Sequence, residues 1–302
     1  MTGQSLLGKV ILVTGAGGGI GEGIARLAAA EGASVVVNDL GGPADGSDKR
    51  MAQKVAHEIV ASGGKAVANF DSIAEWDGAQ RMVGQAIDSF GRIDGVVNNA
   101  GILRDVIFHK MTIEDWQAVI NVNLTGYFYV SKAAAPFFKE QGSGAFVHMT
   151  STSGLVGNLA QANYMAAKMG VVGLSKSIAL DMARSNVRSN CIAPFAFTPM
   201  SGTIPDTPEN QERLKILRTL KADKIAPLVV ALLSDEASDV SGQVFGARSN
   251  ELMLFSQHRP IRTSQTSDGW TAQGVLDVAL RAFRPHMYAL DRSADVFTWD
   301  PF

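Results

Sequence analysis

The fold is decided by residues 9–21, Lys9-Val-Ile-Leu-Val-Thr14-Gly15-Ala-Gly-Gly-Gly-Ile-Gly21. The first six residues form an apolar, β-branched run that is typical of a buried parallel strand. Residues 22–31 continue with helical periodicity. Glycines in such a turn let the backbone approach a pyrophosphate, and the helix N-terminus offers it free N–H groups. The stretch therefore predicts a dinucleotide site formed by Gly15, Gly17, Gly19, Ile20 and Gly21.

The second predicted strand ends in an acidic residue. Residues 34–37 are apolar and β-branched, and Asn38-Asp39 follows them. An acidic residue about 20 positions after the glycine turn accepts hydrogen bonds from the adenosine ribose. Asp39 would repel a 2′-phosphate, and residues 16–18 supply no cation to bind one. The expected cofactor is therefore NAD rather than NADP, with a turn or N-cap aspartate as the alternative interpretation.

A second constellation indicates acid–base chemistry. Tyr164 and Lys168 are four residues apart, so on a helix they lie on one face. An ammonium there favours the phenolate and lowers the pKa of the phenol. Ser151, after an upstream strand, would complete a site that holds a carbonyl and exchanges one proton with it. The Tyr-x-x-x-Lys spacing also occurs on surface helices, and its coincidence with the glycine turn favours the catalytic interpretation.

Composition bounds the protein class. The 302 residues, 46% of them hydrophobic, suffice for one large α/β core. A net charge of −2 does not favour binding to nucleic acid or to an anionic membrane. No apolar run approaches the roughly 20 residues of a membrane span. The single cysteine and the absence of a leader-like start predict a cytoplasmic location. The five histidines lack metal-ligand spacing, so no metal site is expected.

Strand-like runs alternate with helical segments along the chain. The runs span residues 9–14, 34–37, 65–69, 95–98, 145–150, 188–193 and 242–247. Helical segments lie near residues 48–62, 75–90, 113–139, 163–183 and 224–234. This alternation predicts a Rossmann-type doubly wound parallel α/β sheet in one domain, residues 1–247. Residues 199–221 are predicted to form a lid or a surface connection, and residues 248–302 a C-terminal extension packed on the same domain, irregular outside a helix at 272–283.

Together, the motifs resemble those of the short-chain dehydrogenase/reductase family. They are Thr14-Gly15-x-x-x-Gly19-x-Gly21, Asn98-Asn99-Ala100-Gly101, Asn123, Ser151 and Tyr164-x-x-x-Lys168. Longer stretches, including residues 35–42 and 98–105, are similar to the (3R)-hydroxyacyl-CoA dehydrogenase domain of peroxisomal multifunctional enzyme type 2. Such enzymes are also known as 17β-hydroxysteroid dehydrogenases of type 4. Bacterial relatives of this kind resemble enzymes of steroid side-chain β-oxidation.

The resemblance implies a role for each matching residue. Tyr164 would exchange a proton with the substrate oxygen, and Ser151 would donate to that oxygen. Lys168 would lower the pKa of the tyrosine and bind the nicotinamide ribose. Asn123 would hold a water that links the lysine to solvent, with an exposed helix position as the alternative. Further cofactor contacts are implied at Asp71, Ser72, Asn98, Ala100, Gly101, Pro194 and Thr198.

The implied activity is NAD-dependent oxidation of a 3-hydroxyacyl-CoA, with or without a steroid side chain, to the 3-oxoacyl-CoA. Alternatives are a 17β-hydroxysteroid dehydrogenase, a 3-oxoacyl carrier-protein reductase and a non-catalytic NAD-sensing protein. Asp39 disfavours the NADP-dependent reductase, and retention of both Tyr164 and Lys168 disfavours the sensor. Pro194-Phe195 departs from the Pro-Gly of the family, so the backbone near the carboxamide is expected to differ.

Two expectations concern partners. Small and apolar residues on two predicted helices exceed what one buried face requires, which indicates a homodimer or homotetramer. They are Ala133, Ala134, Ala135, Ala166, Ala167, Gly170, Val171 and Gly173. Cations near the site would bind the phosphates of a CoA substrate. The candidates are Arg104, Arg213, Lys215, Arg218, Lys221, His258, Arg259 and Arg262.

Overall fold

The computed structural model describes residues 4–41, 50–196, 211 and 219–299. Its strands are β1 (Val10–Thr14), β2 (Ser34–Asn38), β3 (Lys65–Asn69), β4 (Gly95–Asn98), β5 (Gly144–Met149), β6 (Val187–Phe195), β7 (Val244–Arg248) and β8 (Glu251–Leu254). They form one sheet in the order β3-β2-β1-β4-β5-β6-β7-β8. The first seven strands pair in parallel, and β8 pairs antiparallel to β7.

Helices pack on both faces of this sheet. They are α1 (Gly19–Ala30), α2 (Arg50–Ala61), α3 (Trp76–Phe90), α4 (Ile113–Ile120), α5 (Gly126–Gln141), α6 (Thr152–Leu155), α7 (Ala162–Asp181) and α8 (Ala226–Leu233). A π-helical turn, Asn121–Thr125, joins α4 to α5, and short 3₁₀ turns cover Phe108–Lys110, Ala183–Ser185, Ala222–Ile225 and Asp235–Ala237. One apolar core cluster joins the sheet to α1, α2 and α8, and a second joins it to α3, α5 and α7. The predicted doubly wound α/β fold is confirmed.

The topology brings the predicted functional segments to one edge of the sheet. The strand order reverses beside β1, whose neighbours are β2 and β4. Ligands of open α/β sheets bind beyond the carboxyl ends of the strands at such a reversal. The glycine turn follows β1, Asp39 follows β2, the turn at 99–101 follows β4, and Ser151 follows β5. All four segments therefore border the same crevice.

The beginning of the extension differs from the sequence prediction. Residues after 248 were expected to be irregular outside 272–283, but Glu251–Leu254 is a strand. A two-residue turn connects it to β7, and Ser249 in that turn has φ of 51°. Four residues are too few to show a clear alternation, so β8 has no recognisable pattern in the sequence. The helical prediction for 272–283 is confirmed, with a π-helical segment, Val275–Leu280, between Ala272–Gly274 and Arg281–Phe283.

The end of the extension returns to the carboxyl edge of the sheet, where Arg248 holds it. This arginine is 5% exposed, and its guanidinium lies 5.7 Å from the Phe195 ring and 4.9 Å from the Trp299 ring. Arg248 Nε donates to Glu251 at 3.0 Å, and Trp299 Nε1 donates to the same carboxylate at 2.7 Å. The Phe297 ring meets Phe195 at 4.9 Å. Residues 297–299 therefore pack against the ends of β6 and β7.

Removing this guanidinium is expected to loosen the extension. Arg248→Ala leaves Glu251 without its buried cation and Phe195 without one of its packing partners. We expect the free energy of unfolding to fall by about 1–3 kcal/mol, the range for a lost hydrogen bond to a charged group. Urea denaturation followed by tryptophan fluorescence measures it. Arg259→Ala is the matched control because that arginine is exposed, and a loss as large in the control would contradict the role of Arg248.

Membrane-spanning helices and clusters of metal ligands are both absent from the described residues. No helix in this part of the chain is long and apolar enough to cross a membrane. Within the same ranges, no group of three or more His, Cys, Asp or Glu side chains is placed to hold a metal ion. Cys191 is a free, buried thiol.

Candidate active site

Ser151 and Tyr164 meet where α6 packs on α7. Ser151 is the N-cap of α6, and its Oγ accepts from the Ser153 N–H at 3.1 Å. Gly154 permits the close packing, since a Cβ there would lie 3.0 Å from the backbone N of Met169. The Ser151 hydroxyl lies close enough to the Tyr164 hydroxyl to lower its pKa. The predicted pair of hydroxyl groups is therefore assembled at the carboxyl edge of the sheet.

Lys168 lies one helical turn after Tyr164 and is 3% exposed. Its Nζ donates to the Met149 carbonyl at 2.8 Å and to the Tyr127 hydroxyl at 3.0 Å. The distance from Nζ to the Tyr164 ring centroid is 5.6 Å. The ammonium thus lies beside the tyrosine. The sequence motifs did not single out Tyr127, and its one signal is its position four residues after Asn123, on the same helical face.

The pKa values differ from the sequence expectation. Lys168 was expected to lower the pKa of Tyr164, but burial raises the pKa of Tyr164 to about 12, although the nearby Ser151 hydroxyl lowers it. Burial also lowers the pKa of Lys168 to about 7. Near neutral pH the lysine is therefore only partly charged. The expectation neglected the desolvation that the interior imposes on both groups.

Asn123 is fully buried within the π-helical turn. Its Oδ1 accepts from the Ile102 N–H at 2.9 Å, and its Nδ2 donates to the Ile102 carbonyl at 2.9 Å. The alternative of an exposed helix position is therefore wrong. Both amide atoms are engaged by the backbone of Ile102, and the predicted role of Asn123 in holding a water stays a prediction. The side chain fixes the loop that follows the turn at 99–101.

The glycine turn fits a pyrophosphate. Gly15 has φ of 63°, a conformation that side chains disfavour, and a Cβ on Gly21 would lie 2.2 Å from the Gly15 carbonyl oxygen. The N-cap of α1 is Gly18, which provides no side-chain cap. The first N–H groups of this helix are therefore open to an anion. Gly17 and Gly19 lie in the same turn, and Ile20 packs against the core.

Asp39 lies against this turn. Its Oδ2 accepts from the Gly17 N–H at 2.9 Å, and its Oδ1 accepts from the Gly41 N–H at 2.9 Å. Each carboxylate oxygen keeps a further lone pair, so the group can still accept from ribose hydroxyls. The geometry fits the predicted ribose site, and the hydrogen bonds also give Asp39 a structural role in the turn.

Comparisons with known proteins agree with this geometry. A family profile described as short chain dehydrogenase matches residues 9–209. A protein of Mycobacterium tuberculosis, named as a short-chain type dehydrogenase/reductase, is 50% identical over 251 residues, which cover 82% of this chain and 85% of that protein. The chain belongs to the short-chain dehydrogenase/reductase family. A crystal structure of a short chain dehydrogenase from Mycobacterium avium is 34% identical, with a TM-score of 0.82 over 94% of this chain and 97% of that one.

The dehydrogenase is also similar to a larger enzyme. It is 44% identical over 276 residues to the peroxisomal multifunctional enzyme type 2 of Mus musculus. The match covers 87% of this chain but only 36% of the mouse protein. The resemblance found from the motifs is therefore confirmed, and the protein is an oxidoreductase of a family that uses NAD or NADP.

At the adenine end of the dinucleotide site, this dehydrogenase places Asp71 and Ser72 directly after β3. The Asp71 carboxylate pairs with Arg81 at 2.7 Å and accepts from Asn69 Nδ2 at 2.9 Å. Ser72 Oγ accepts from the Ala74 N–H at 3.2 Å. Both residues thus lie at the expected edge of the sheet, and Asp71 is already engaged by a cation. Its predicted contact with adenine stays a prediction.

Asn98 and Asn99, at the turn after β4, have different structural roles. Asn98 is fully buried, and its Nδ2 lies 3.0 Å from Ser131 Oγ and 3.0 Å from His148 Nδ1. Its side chain therefore faces the core, so only its backbone can meet a ribose. Asn99, which the sequence analysis did not assign, donates to the Thr14 and Gly15 carbonyls at 3.0 and 3.1 Å. It joins this turn to the glycine turn.

Two predicted contacts in the same turn concern Ala100 and Gly101. The Ala100 N–H donates to Thr14 Oγ1 at 3.2 Å. A Cβ on Gly101 would lie 3.0 Å from Asn123 Oδ1, so a side chain there would press on the asparagine. The turn is therefore packed between β1 and the π-helical segment, at the edge where the cofactor is expected.

The departure at Phe195 has a packing reason. Pro194 is half-buried as the residue before last of β6, and the ring of Phe195, the last residue, packs against Arg248 and Phe297. The aromatic residue at the position of the family glycine thus anchors the extension beside the predicted carboxamide site. Thr198 and most of the predicted lid, residues 199–210 and 212–218, lie outside the described residues.

The expectation for the tail cations is wrong for His258 and Arg259. Strand β8 runs antiparallel to β7, so the chain leaves it at the opposite edge of the sheet. Gln257 Nε2 donates at 2.8 Å to the carbonyl of Gly242, which precedes β7. Residues 258–259 are therefore remote from the carboxyl edge. Arg104 lies after the turn at 99–101 and is exposed, so it stays a candidate for phosphate binding.

Proposed function

We propose that this dehydrogenase oxidises a 3-hydroxyacyl-CoA to the 3-oxoacyl-CoA with NAD. The observation that carries the proposal is the placement of Tyr164, beside Ser151 and one turn from Lys168, at the edge that also holds the glycine turn and Asp39. A redox site for an alcohol needs a proton acceptor and a dinucleotide site side by side. The similarity to multifunctional enzyme type 2 supports the acyl-CoA class.

The chain's own residues would handle the proton. Ser151 Oγ donates to the substrate oxygen and holds it near the Tyr164 hydroxyl. The Tyr164 phenolate takes the proton of the alcohol, and the Lys168 ammonium stabilises that phenolate. When bound, NAD supplies the acceptor for the hydride that leaves the carbinol carbon. The proton on Tyr164 then passes to solvent.

The mouth of the site suits an apolar substrate. The loop after the turn at 99–101 exposes Ile107 (51%) and Phe108 (77%), and the loop before α7 exposes Leu159 (73%). The Val106 N–H donates to the Ala160 carbonyl at 2.8 Å and holds the two loops together. Exposed apolar groups beside a polar site are typical of a ligand-binding surface. They favour a long acyl chain or a steroid over a small alcohol.

The same apolar surface would also suit a free hydroxysteroid, which is the second candidate substrate. Such a substrate needs no cation, and the chain places His258 and Arg259 away from the mouth. A panel of 3-hydroxyacyl-CoAs of increasing length, a steroid-CoA thioester and free 17β-hydroxysteroids separates the two when NADH release is measured for each. The proposal expects the highest kcat/KM with a thioester. Turnover of free steroids alone would overturn the acyl-CoA assignment.

We also propose that the dehydrogenase is a homodimer or homotetramer. Ala133, Ala134, Ala167 and Val171 are buried within one protomer, so the prediction that these residues form an interface is wrong. The support now comes from exposed apolar side chains on the same helices, Phe128 on α5 (46%) and Leu180 on α7 (74%). Light scattering at micromolar concentration is expected to give the mass of a dimer or tetramer, and a monomer mass would contradict the proposal.

A further inference from the structure

Tyr127 is a fully buried tyrosine on α5 that touches Lys168. Its hydroxyl oxygen accepts from Lys168 Nζ at 3.0 Å, and Nζ lies 4.6 Å from the centroid of its ring. Nζ also donates to the Met149 carbonyl at 2.8 Å. One side chain and one backbone carbonyl therefore fix the amine in the interior.

The ring of Tyr127 is itself held in place. It stacks on His148, with the ring centroids 6.3 Å apart and the planes at 26°. His148 stacks in turn on Phe146, and its ring nitrogens lie 3.0 Å from Asn98 Nδ2 and 3.1 Å from Ser189 Oγ. All of these residues are buried. Close packing of this kind leaves the hydroxyl little freedom to leave Lys168.

We propose that Tyr127 is a positioning residue for the reaction: its hydroxyl holds Lys168 beside Tyr164 and favours the charged amine. The proposal deepens the proposed function and rests on it for its catalytic meaning. Tyr127 would not touch the substrate. It would act through the lysine, because a hydrogen-bond acceptor stabilises an ammonium in a desolvated site.

The surroundings of Lys168 make this acceptor important. The titratable groups that face the amine in the described structure are Tyr127 on α5, His148 on β5, Tyr164 on α7 and Cys191 on β6. Burial lowers the pKa of His148 to about 3 and raises the pKa of Cys191 to about 12, so both stay neutral between these values. Burial also raises the pKa of Tyr127 well above its usual value.

The carboxylate of Asp105 influences Tyr164 from the protein surface. Asp105, in the loop after the turn at 99–101, raises the pKa of Tyr164, after the larger effect of burial. The Asp105 side chain is exposed. Tyr127 is therefore the side-chain acceptor by which the described structure stabilises the ammonium.

Tyr164 and Lys168 can share one proton, and its position decides whether the site can act as a base. When Tyr164 and Lys168 together lose one proton, the product is either a phenolate beside an ammonium or a phenol beside a neutral amine. Only the first form can accept a proton from an alcohol. Stabilising the ammonium raises the share of the first form, and removing the Tyr127 hydroxyl lowers that share by the same factor as it raises the acid dissociation constant of the lysine.

The direct test titrates Lys168 in the full chain with ¹³C at the lysine Cε, whose chemical shift follows the charge of the amine. Lys168→Met assigns the resonance by its loss. Tyr127→Phe keeps the ring but removes the acceptor, and we expect the midpoint of Lys168 to fall by about one to two pH units. Tyr129→Phe removes a hydroxyl two residues along the same helix and should leave the midpoint unchanged.

An unchanged midpoint in Tyr127→Phe, or an equal shift in Tyr129→Phe, would overturn the proposal. The titration needs no substrate, so its result is independent of the proposed function. A different result would contradict the proposed function: a wild-type protein that oxidises no alcohol although its Lys168 titrates as expected.

A second readout is the pH profile of kcat for alcohol oxidation. At low pH, where the lysine is charged in both proteins, Tyr127→Phe should match the wild type. Its profile should then level off at a lower pH, about 10- to 100-fold below the wild-type plateau, as the loss of a hydrogen bond to a charged group implies. A loss of equal size at every pH would show a merely structural role and overturn the proposal.

Discussion

Replacing Tyr164 by phenylalanine is expected to lower kcat by about 10²–10⁴-fold, the contribution of a well-placed acid–base group. Phenylalanine keeps the ring that lies 5.6 Å from Lys168 Nζ and removes only the hydroxyl group that carries the exchangeable proton. The dinucleotide site is built from β1, β2 and α1, so the Kd for NAD should change little. Initial rates with the best substrate and calorimetric titration of NAD measure the two quantities.

The control for this variant is Tyr129→Phe, which removes a hydroxyl from α5 outside the site. It should keep wild-type kcat. Activity within a few fold of wild type in purified Tyr164→Phe would exclude Tyr164 as the proton acceptor. A large rise in the Kd for NAD would instead show that the substitution disturbs the cofactor site.

Cofactor preference is expected to follow Asp39. The native protein should strongly prefer NAD, because the Asp39 carboxylate would repel a 2′-phosphate bound at this turn and like charges in contact cost several kcal/mol. In Asp39→Asn that repulsion disappears, and the ratio of kcat/KM for NAD over NADP should fall by about 100-fold. Asparagine is preferable to serine because its Oδ1 can keep one of the hydrogen bonds from Gly17 and Gly41.

Asp88→Asn is the matched control for this substitution, since it removes the same charge from an exposed position on α3. Its NAD-to-NADP ratio should equal that of the native protein. A native protein that uses both nucleotides equally well would show that Asp39 serves the turn alone. Its hydrogen bonds to two backbone N–H groups would then be its whole role.

Local patterns sufficed for the seven parallel strands and for the placement of Ser151, Tyr164 and Lys168. Buried parallel strands are continuous apolar runs, and the carboxyl ends of such strands share one edge of the sheet. The sequence alone therefore predicts that the motifs lie at that edge. The spacing of Tyr164 and Lys168 needed only the helical repeat. These features depend on neighbours in sequence or on a general rule of the fold.

The remaining features depend on contacts between distant residues. The side chains of Tyr127 and Lys168 are hydrogen-bonded although the residues are 41 positions apart in sequence, and those of Trp299 and Glu251 although they are 48 apart. No periodicity predicts such pairs in a single sequence. The pKa of Lys168 likewise depends on burial by several elements at once, which is why a rule based on the Tyr–Lys spacing alone gave the wrong direction for Tyr164.

The most direct test of the account follows the hydrogen at C3 of the substrate. The wild-type protein is incubated with NAD and a 3-hydroxyacyl-CoA that carries deuterium at C3, and both products are analysed by mass spectrometry. The account predicts one deuterium in the reduced cofactor for each 3-oxoacyl-CoA formed, and almost none with Tyr164→Phe. No labelled cofactor from any thioester, with labelled cofactor from a 17β-hydroxysteroid deuterated at C17, would contradict it.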